Sequence, residues 1–114
     1  MTAVMAQWLR GTSGLEKLTE EWIEDIPGCA GLFLESRQTV ESAVDILGNV
    51  LRRERVRWKL VVNQGYPPAI DLKTAPVLGA LQRVSLGEDR LIRLDHNQLP
   101  RWETELTAEF TVKE

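Results

Sequence analysis

"TVESAVDILGNVLRRE", residues 39–54, carries the reading on which the architecture of this chain turns. Its apolar residues Val40, Val44, Leu47 and Leu51 recur at helical spacing, with Ser36 or Thr39 available as N-cap, and the pattern predicts an amphipathic helix. Gly48 is the one residue that weakens it. Immediately downstream, "VRWKLVV" (56–62) alternates Val56, Trp58, Leu60 and Val62 against Arg57, Lys59 and Val61, which predicts a strand with one strongly apolar face. Upstream, the short apolar run "CAGLFL" (29–34) reads as a strand buried on both faces. Strand, helix and strand from Cys29 to Val62 then form a right-handed parallel crossover.

Further towards the N-terminus, "SGLEKLTEEWIEDIPG" (13–28) offers a Ser-x-x-Glu pair at Ser13 and Glu16 and apolar Leu15, Leu18, Trp22 and Ile26, a second predicted helix ended by Pro27-Gly28. In the other direction, "NQGYPP" breaks the chain, and Thr74 to Gly87 reads as a third helix with Pro76 in its first turn. "RLIRLD" (90–95) reads as a strand and "HNQLP" as a turn. The final segment, "WETELTAEFTVK", sets Trp102, Thr104, Leu106, Ala108, Phe110 and Val112 against Glu103, Glu105, Thr107, Glu109, Thr111 and Lys113. Leu99, Trp102, Leu106 and Phe110 also fit a helix, but the threonines favour a strand over 101–113. The expected fold is a small α/β two-layer sandwich, order α-β-α-β-α-β-β, with a mixed sheet of about four strands and about three helices. Residues 1–12 form an N-terminal arm and 13–114 a single globular domain.

With 114 residues, 43% hydrophobic and 27% charged, the chain suffices for one core without staples. A formal net charge of -3 excludes a polycationic binder. One cysteine and one histidine supply neither an intramolecular disulfide nor the usual structural zinc site. No export signal or run long enough to cross a bilayer is visible, so a cytoplasmic protein without a membrane partner is expected.

No phosphate loop, dinucleotide fingerprint, zinc-protease helix or nucleophile elbow occurs, and neither catalytic residues nor a cofactor is expected. Cys29 follows Glu24 and Asp25, the reverse of the field that activates a thiol, and reads as a buried structural residue. His96, flanked by Asp95 and Asn97, reads as a turn residue. The strongest feature is the cationic cluster Arg52, Arg53, Arg55, Arg57 and Lys59. On the predicted elements it marks a helix C-terminus running into a strand, where cations complement the macrodipole. It also suits an acidic protein partner or, as the alternative, a nucleic acid, although Trp58 points away from Arg57 and Lys59.

Trp8 precedes the first predicted helix, so its apolar arm either folds back or meets a partner. The stretch "LEKLTEEWIEDIPGCAGLFLES" (15–36) resembles the helix-to-first-strand opening of roadblock-type dimerisation domains over about a fifth of the chain. That family's Asp-Gly hairpin is missing and a helix is read in its place, so no family is assigned. The function expected is a non-catalytic protein–protein interaction module, an adaptor, accessory subunit or regulator. Its expected contact is self-association, as a homodimer, or a partner contact in which residues 102–112, as a sheet edge, present Glu103, Glu105 and Glu109 to the basic stretch Arg52 to Lys59 of a second copy or to a partner.

Overall fold

The computed structural model describes residues 1–93 and 99–113. Six strands form one mixed sheet: β1 (Lys17–Glu20), β2 (Cys29–Val44), β3 (Val50–Val62), β4 (Ala80–Leu86), β5 (Arg90–Arg93) and β6 (Arg101–Lys113). Their spatial order is β1-β2-β3-β6-β4, with β5 also paired to β6. Only β1 and β2 run parallel; every other pairing is antiparallel. Among the described residues, one helix, α1 (Thr2–Arg10), and a 3-10 turn, Leu72–Thr74, complete the regular structure.

This is not the expected sandwich with about three helices: strand accounts for 52% of the chain and helical residues for 11%. The largest correction falls on residues 36–54, which form the two arms of a long hairpin, Val44 opposite Val50, and not a crossover helix. The helical spacing of Val40, Val44, Leu47 and Leu51 had no helix-binding surface to satisfy, and the turn chemistry at 45–49 prevailed. Asp45 Oδ1 accepts the N–H groups of Leu47 and Asn49, both at 2.9 Å, and the Gly48 N–H donates to the Asp45 carbonyl. Gly48 takes φ +82, the left-handed conformation that such a hairpin loop places on glycine.

Residues 13–28 are likewise not a helix. Glu16 does not cap one; its Oε2 accepts the N–H of Gly14 in a tight local loop. Leu15 and Leu18 reach the core, whereas Trp22 and Ile26 of the same supposed stripe are exposed. The helix on which the roadblock resemblance depends is therefore absent. Residues 74–87 give the end of the 3-10 turn, an extended segment and β4, in which Gln82, Val84 and Leu86 alternate with more exposed neighbours. The strand readings of 29–34, 56–62 and 101–113 stand, as does a strand beginning at Arg90.

Alternation explains where the core sits. Val56, Trp58, Leu60 and Val62 of β3 and Leu106, Ala108 and Phe110 of β6 share the inner face, joined by Ala30 and Leu32 of β2. The N-terminal segment covers that face as α1, burying Met5, Ala6 and Leu9. Ile70 and Leu78, in the connection from β3 to β4, pack against the same core. On the outer face, residues 21–28 fold across β2 so closely that a Cβ on Gly31 would lie 2.7 Å from the Trp22 carbonyl oxygen. Glycine is required there by space.

The sheet extends far beyond this covered part. The molecule measures 60 × 22 × 21 Å, and from Leu34 to Val44 every residue of β2 is exposed. The distal half of the β2–β3 hairpin is thus an arm that no helix among the described residues covers.

Candidate functional site

The cationic cluster divides between two faces, as period-2 geometry requires. Arg52 lies on the inner side, where its Nη1 stands 3.7 Å from Oε1 of the buried Glu54. Arg53, Arg55, Arg57 and Lys59 lie on the outer side, and the acids of neighbouring strands lie beside them. Arg55 Nε donates to Glu109 Oε1 at 2.6 Å, and Arg57 reaches Glu105 at 3.9 Å. Lys59 contacts Glu35 at 3.0 Å and Glu103 at 3.4 Å, while Arg53 contacts Glu41 at 3.4 Å.

The two rows expected to meet between copies therefore meet within one chain, through the β3–β6 register that sets Arg55 opposite Glu109 and Lys59 opposite Glu105. β6 is not an edge, because β3 flanks it on one side and β4 and β5 on the other. The ladder neutralises a face that would otherwise attract phosphate. Exposed pairs of this kind fix register and orientation more than they stabilise.

Charge-assisted contact leaves a titration signature. The Arg55 hydrogen bond holds the Glu109 carboxyl below the usual glutamate range, with the charges of Arg55, Arg53 and Arg83 acting in the same direction. The Glu35 hydrogen bond and the charges of Glu103 and Glu35 raise Lys59 above the ordinary lysine value. A carboxyl lowered by folding contributes stability that is complete above the unfolded value of about 4.3 and is lost as the pH falls through the folded one. A raised lysine contributes below its unfolded value and loses that contribution as alkali carries the pH through the folded one. Glu109→Gln is accordingly expected to lower the urea midpoint at neutral pH. The difference from wild type should shrink as the pH is lowered towards about 3, and a deficit independent of pH would count against the Arg55–Glu109 contact.

Trp8 packs back onto the domain: it is half-buried, and its Nε1 donates to Thr74 Oγ1 at 2.8 Å. Cys29 opens β2 as a buried free thiol. His96, Asp95 and Asn97 lie outside the described residues. Among the described residues no group of three His, Cys, Asp or Glu side chains is placed to hold a metal ion, and no helix is long and apolar enough to cross a membrane.

The distal arm carries the features that sequence reasoning missed. Ile46 and Leu47, at the hairpin tip, are 101% and 80% exposed. Their turn is closed by hydrogen bonds: Asp45 receives two backbone N–H groups and the Asn49 amide, and the Asn49 backbone contact is the first cause of its lowered carboxyl pKa. On the outer face behind the tip, Glu41, Ala43, Leu51, Arg53, Leu81 and Thr111 line a shallow groove of about 300 Å³. Leu81 is 90% exposed and has φ +50 at a bulge in β4. Gln82 braces that bulge, its Nε2 donating to the Pro76 carbonyl at 2.6 Å and its Oε1 accepting the Leu78 N–H. The signal for the tip was in the sequence: apolar Ile-Leu inside an Asp-x-x-Gly-Asn turn has no core to enter.

No family model, curated protein or solved structure matches this chain. The site is therefore read from its own geometry.

Proposed function

We propose that this chain is a non-catalytic protein–protein interaction module that engages its partner through the distal β2–β3 arm. The observation that carries the reading is the tip, where Ile46 and Leu47 stand in water on a turn fixed by hydrogen bonds. Exposed apolar side chains on a rigid support bury surface on binding with little ordering cost, the arrangement expected of an interface anchor. The arm's projection beyond the core gives the tip room to enter a cleft. The outer-face cations already have carboxylate neighbours, so a phosphate backbone would have to displace an intramolecular acid at each one.

The test is a photo-crosslinking amino acid in place of Leu47, expressed in the protein's own cells, with one in place of the exposed Gly65 as a proximal control. A discrete protein adduct from the tip alone is expected. Once that partner is purified, Ile46→Ser with Leu47→Ser should weaken the complex about tenfold or more without shifting the melting temperature, because both side chains are exposed. No adduct, equal adducts from the two positions, or unchanged affinity would overturn the proposal.

A further inference from the structure

Trp22 is the one exposed tryptophan, 56% open to water, whereas Trp58 is buried and Trp8 and Trp102 are half-buried. With Ile26, also exposed, it lies in the loop that leads from β1 to β2 and crosses the outer face of β2. Two large apolar side chains held in water on one short loop mark a contact surface.

The backbone beneath them is pinned. β1 stops at Glu20, opposite Leu32, and Glu21 follows the β2 edge for one more step. The Glu21 N–H donates to the Leu32 carbonyl, and its Oε1 accepts the Leu34 N–H at 2.8 Å. Glu21 takes φ 64 there, a left-handed conformation that a glutamate seldom adopts, and the turn it makes brings the Trp22 main chain over Gly31. The Thr19 hydroxyl donates to the Trp22 carbonyl, and Asn63 Nδ2 donates to the carbonyls of Glu24 and Ile26. Trp22 and Ile26 therefore each rise from a residue whose main chain is tied down, so that binding through them orders little.

Charge names what they suit. Residues 20–26 carry four carboxylates and no cation. Two are answered from elsewhere in the chain, Glu20 by Arg10 at 3.9 Å and Asp25 by Arg101 at 3.3 Å. Among the described residues no cation pairs with Glu21 or Glu24, which flank Trp22 in sequence. A tryptophan face attracts a cation through its ring quadrupole, and a carboxylate close by attracts the same cation. The surface repels a phosphate backbone or an anionic lipid, and it complements an apolar segment that carries lysine or arginine.

We propose that this loop is a second docking surface, which takes a basic, apolar segment of a partner protein, with Trp22 and Ile26 as its apolar contacts and Glu24 as the counter-charge. It is separate from the hairpin tip: Gly31, beneath the loop, and Val44 are thirteen residues apart on β2, roughly 40 Å at about 3.3 Å per residue. A chain with a braced apolar contact towards each end of its long axis holds two partners at once, and so joins them.

Titration calorimetry with a short lysine–leucine peptide tests it, against glutamate–leucine and serine–leucine peptides of the same length. The lysine peptide should bind saturably, and less tightly as salt is added, with the other two at least about tenfold weaker. Trp22→Ala and Glu24→Lys should each weaken the complex about tenfold or more. Glu88→Lys, which changes the net charge equally at another exposed position, should leave it unchanged, as should Ile46→Ser with Leu47→Ser. Thermal melts confirm folding, and if Trp22→Ala destabilises the chain the exposed Glu24→Lys carries the comparison. No saturable binding of the lysine peptide, equal binding of the glutamate peptide, or equal losses in Glu24→Lys and Glu88→Lys would overturn the proposal. Self-association in sedimentation velocity that Trp22→Ala abolishes would also overturn it, by assigning the surface to a second copy. The tip variant separates the two surfaces, so failure here leaves the reading of Ile46 and Leu47 standing.

Discussion

Trp58→Ala is expected to lower the unfolding free energy by about 3–5 kcal/mol, the range seen when a large aromatic is removed from a packed interior. Trp58 lies in the middle of β3 on the inner face, fully buried, opposite Leu34 of β2 and Leu106 of β6. It also joins the two layers: its Nε1 donates to Thr2 Oγ1 at the start of α1, at 3.0 Å. Alanine there leaves a cavity in the core and deprives the Thr2 hydroxyl of its donor. For a domain whose whole stability is about 5–15 kcal/mol, this loss leaves a marginal fold and lowers the melting temperature by roughly 10–20 °C. Trp58→Phe keeps most of the volume and loses the hydrogen bond, so it should cost about 1–2 kcal/mol. Urea unfolding followed by far-UV circular dichroism separates the two. An alanine variant within about 1 kcal/mol of wild type would show that α1 does not depend on this residue.

What the sequence revealed of the fold depended on whether a segment had one period or two. β6 and the later part of β3 show strict alternation over residues that favour strands, and both were legible. Residues 39–54 satisfied a helical period equally well, and what decided between the two was the five-residue turn at Asp45–Asn49, a local signal that an apolar count passes over. The same ambiguity affected residues 13–28, whose Ser-x-x-Glu pair promised a helix cap that Gly14 took instead. The cationic cluster was visible, but its partners were not. Glu105 and Glu109 are remote in sequence and come beside Arg57 and Arg55 only through the β3–β6 register. The tip was written in the Asp-x-x-Gly-Asn turn of one segment but passed over for the helical period, whereas the edge of β2 required knowledge of where β1 stops, which is not a property of any one segment.

Asn63 ties the outer-face loop to the end of β3, and its replacement is expected to loosen that loop. It lies just beyond β3, 2% exposed, with both ends of its amide in use. Nδ2 donates to the Glu24 carbonyl at 3.0 Å and the Ile26 carbonyl at 3.3 Å, while Oδ1 accepts Arg101 Nε at 2.7 Å. Its backbone carries two further bonds, from the Gly28 N–H and to the Cys29 carbonyl, so the backbone stays anchored when the side chain is lost. Asn63→Ala therefore leaves two carbonyls and a guanidinium without that partner in a part-buried place, at an expected cost of about 1–3 kcal/mol. Asn63→Asp preserves shape and the acceptor for Arg101, but it turns an oxygen towards two carbonyl oxygens and should destabilise by a similar amount. The distinguishing readout is chemical. Alternation places Cys29 on the same outer face as Gly31, which the loop crosses, so the thiol should label slowly in the native wild type and quickly in denaturant. Loosening the loop in Asn63→Ala should raise the native labelling rate about tenfold or more, by making local opening cheaper than global unfolding. A stability loss without faster labelling would mean that the side chain supports the sheet end and not the loop; unchanged stability and labelling would remove Asn63 from the structural account altogether.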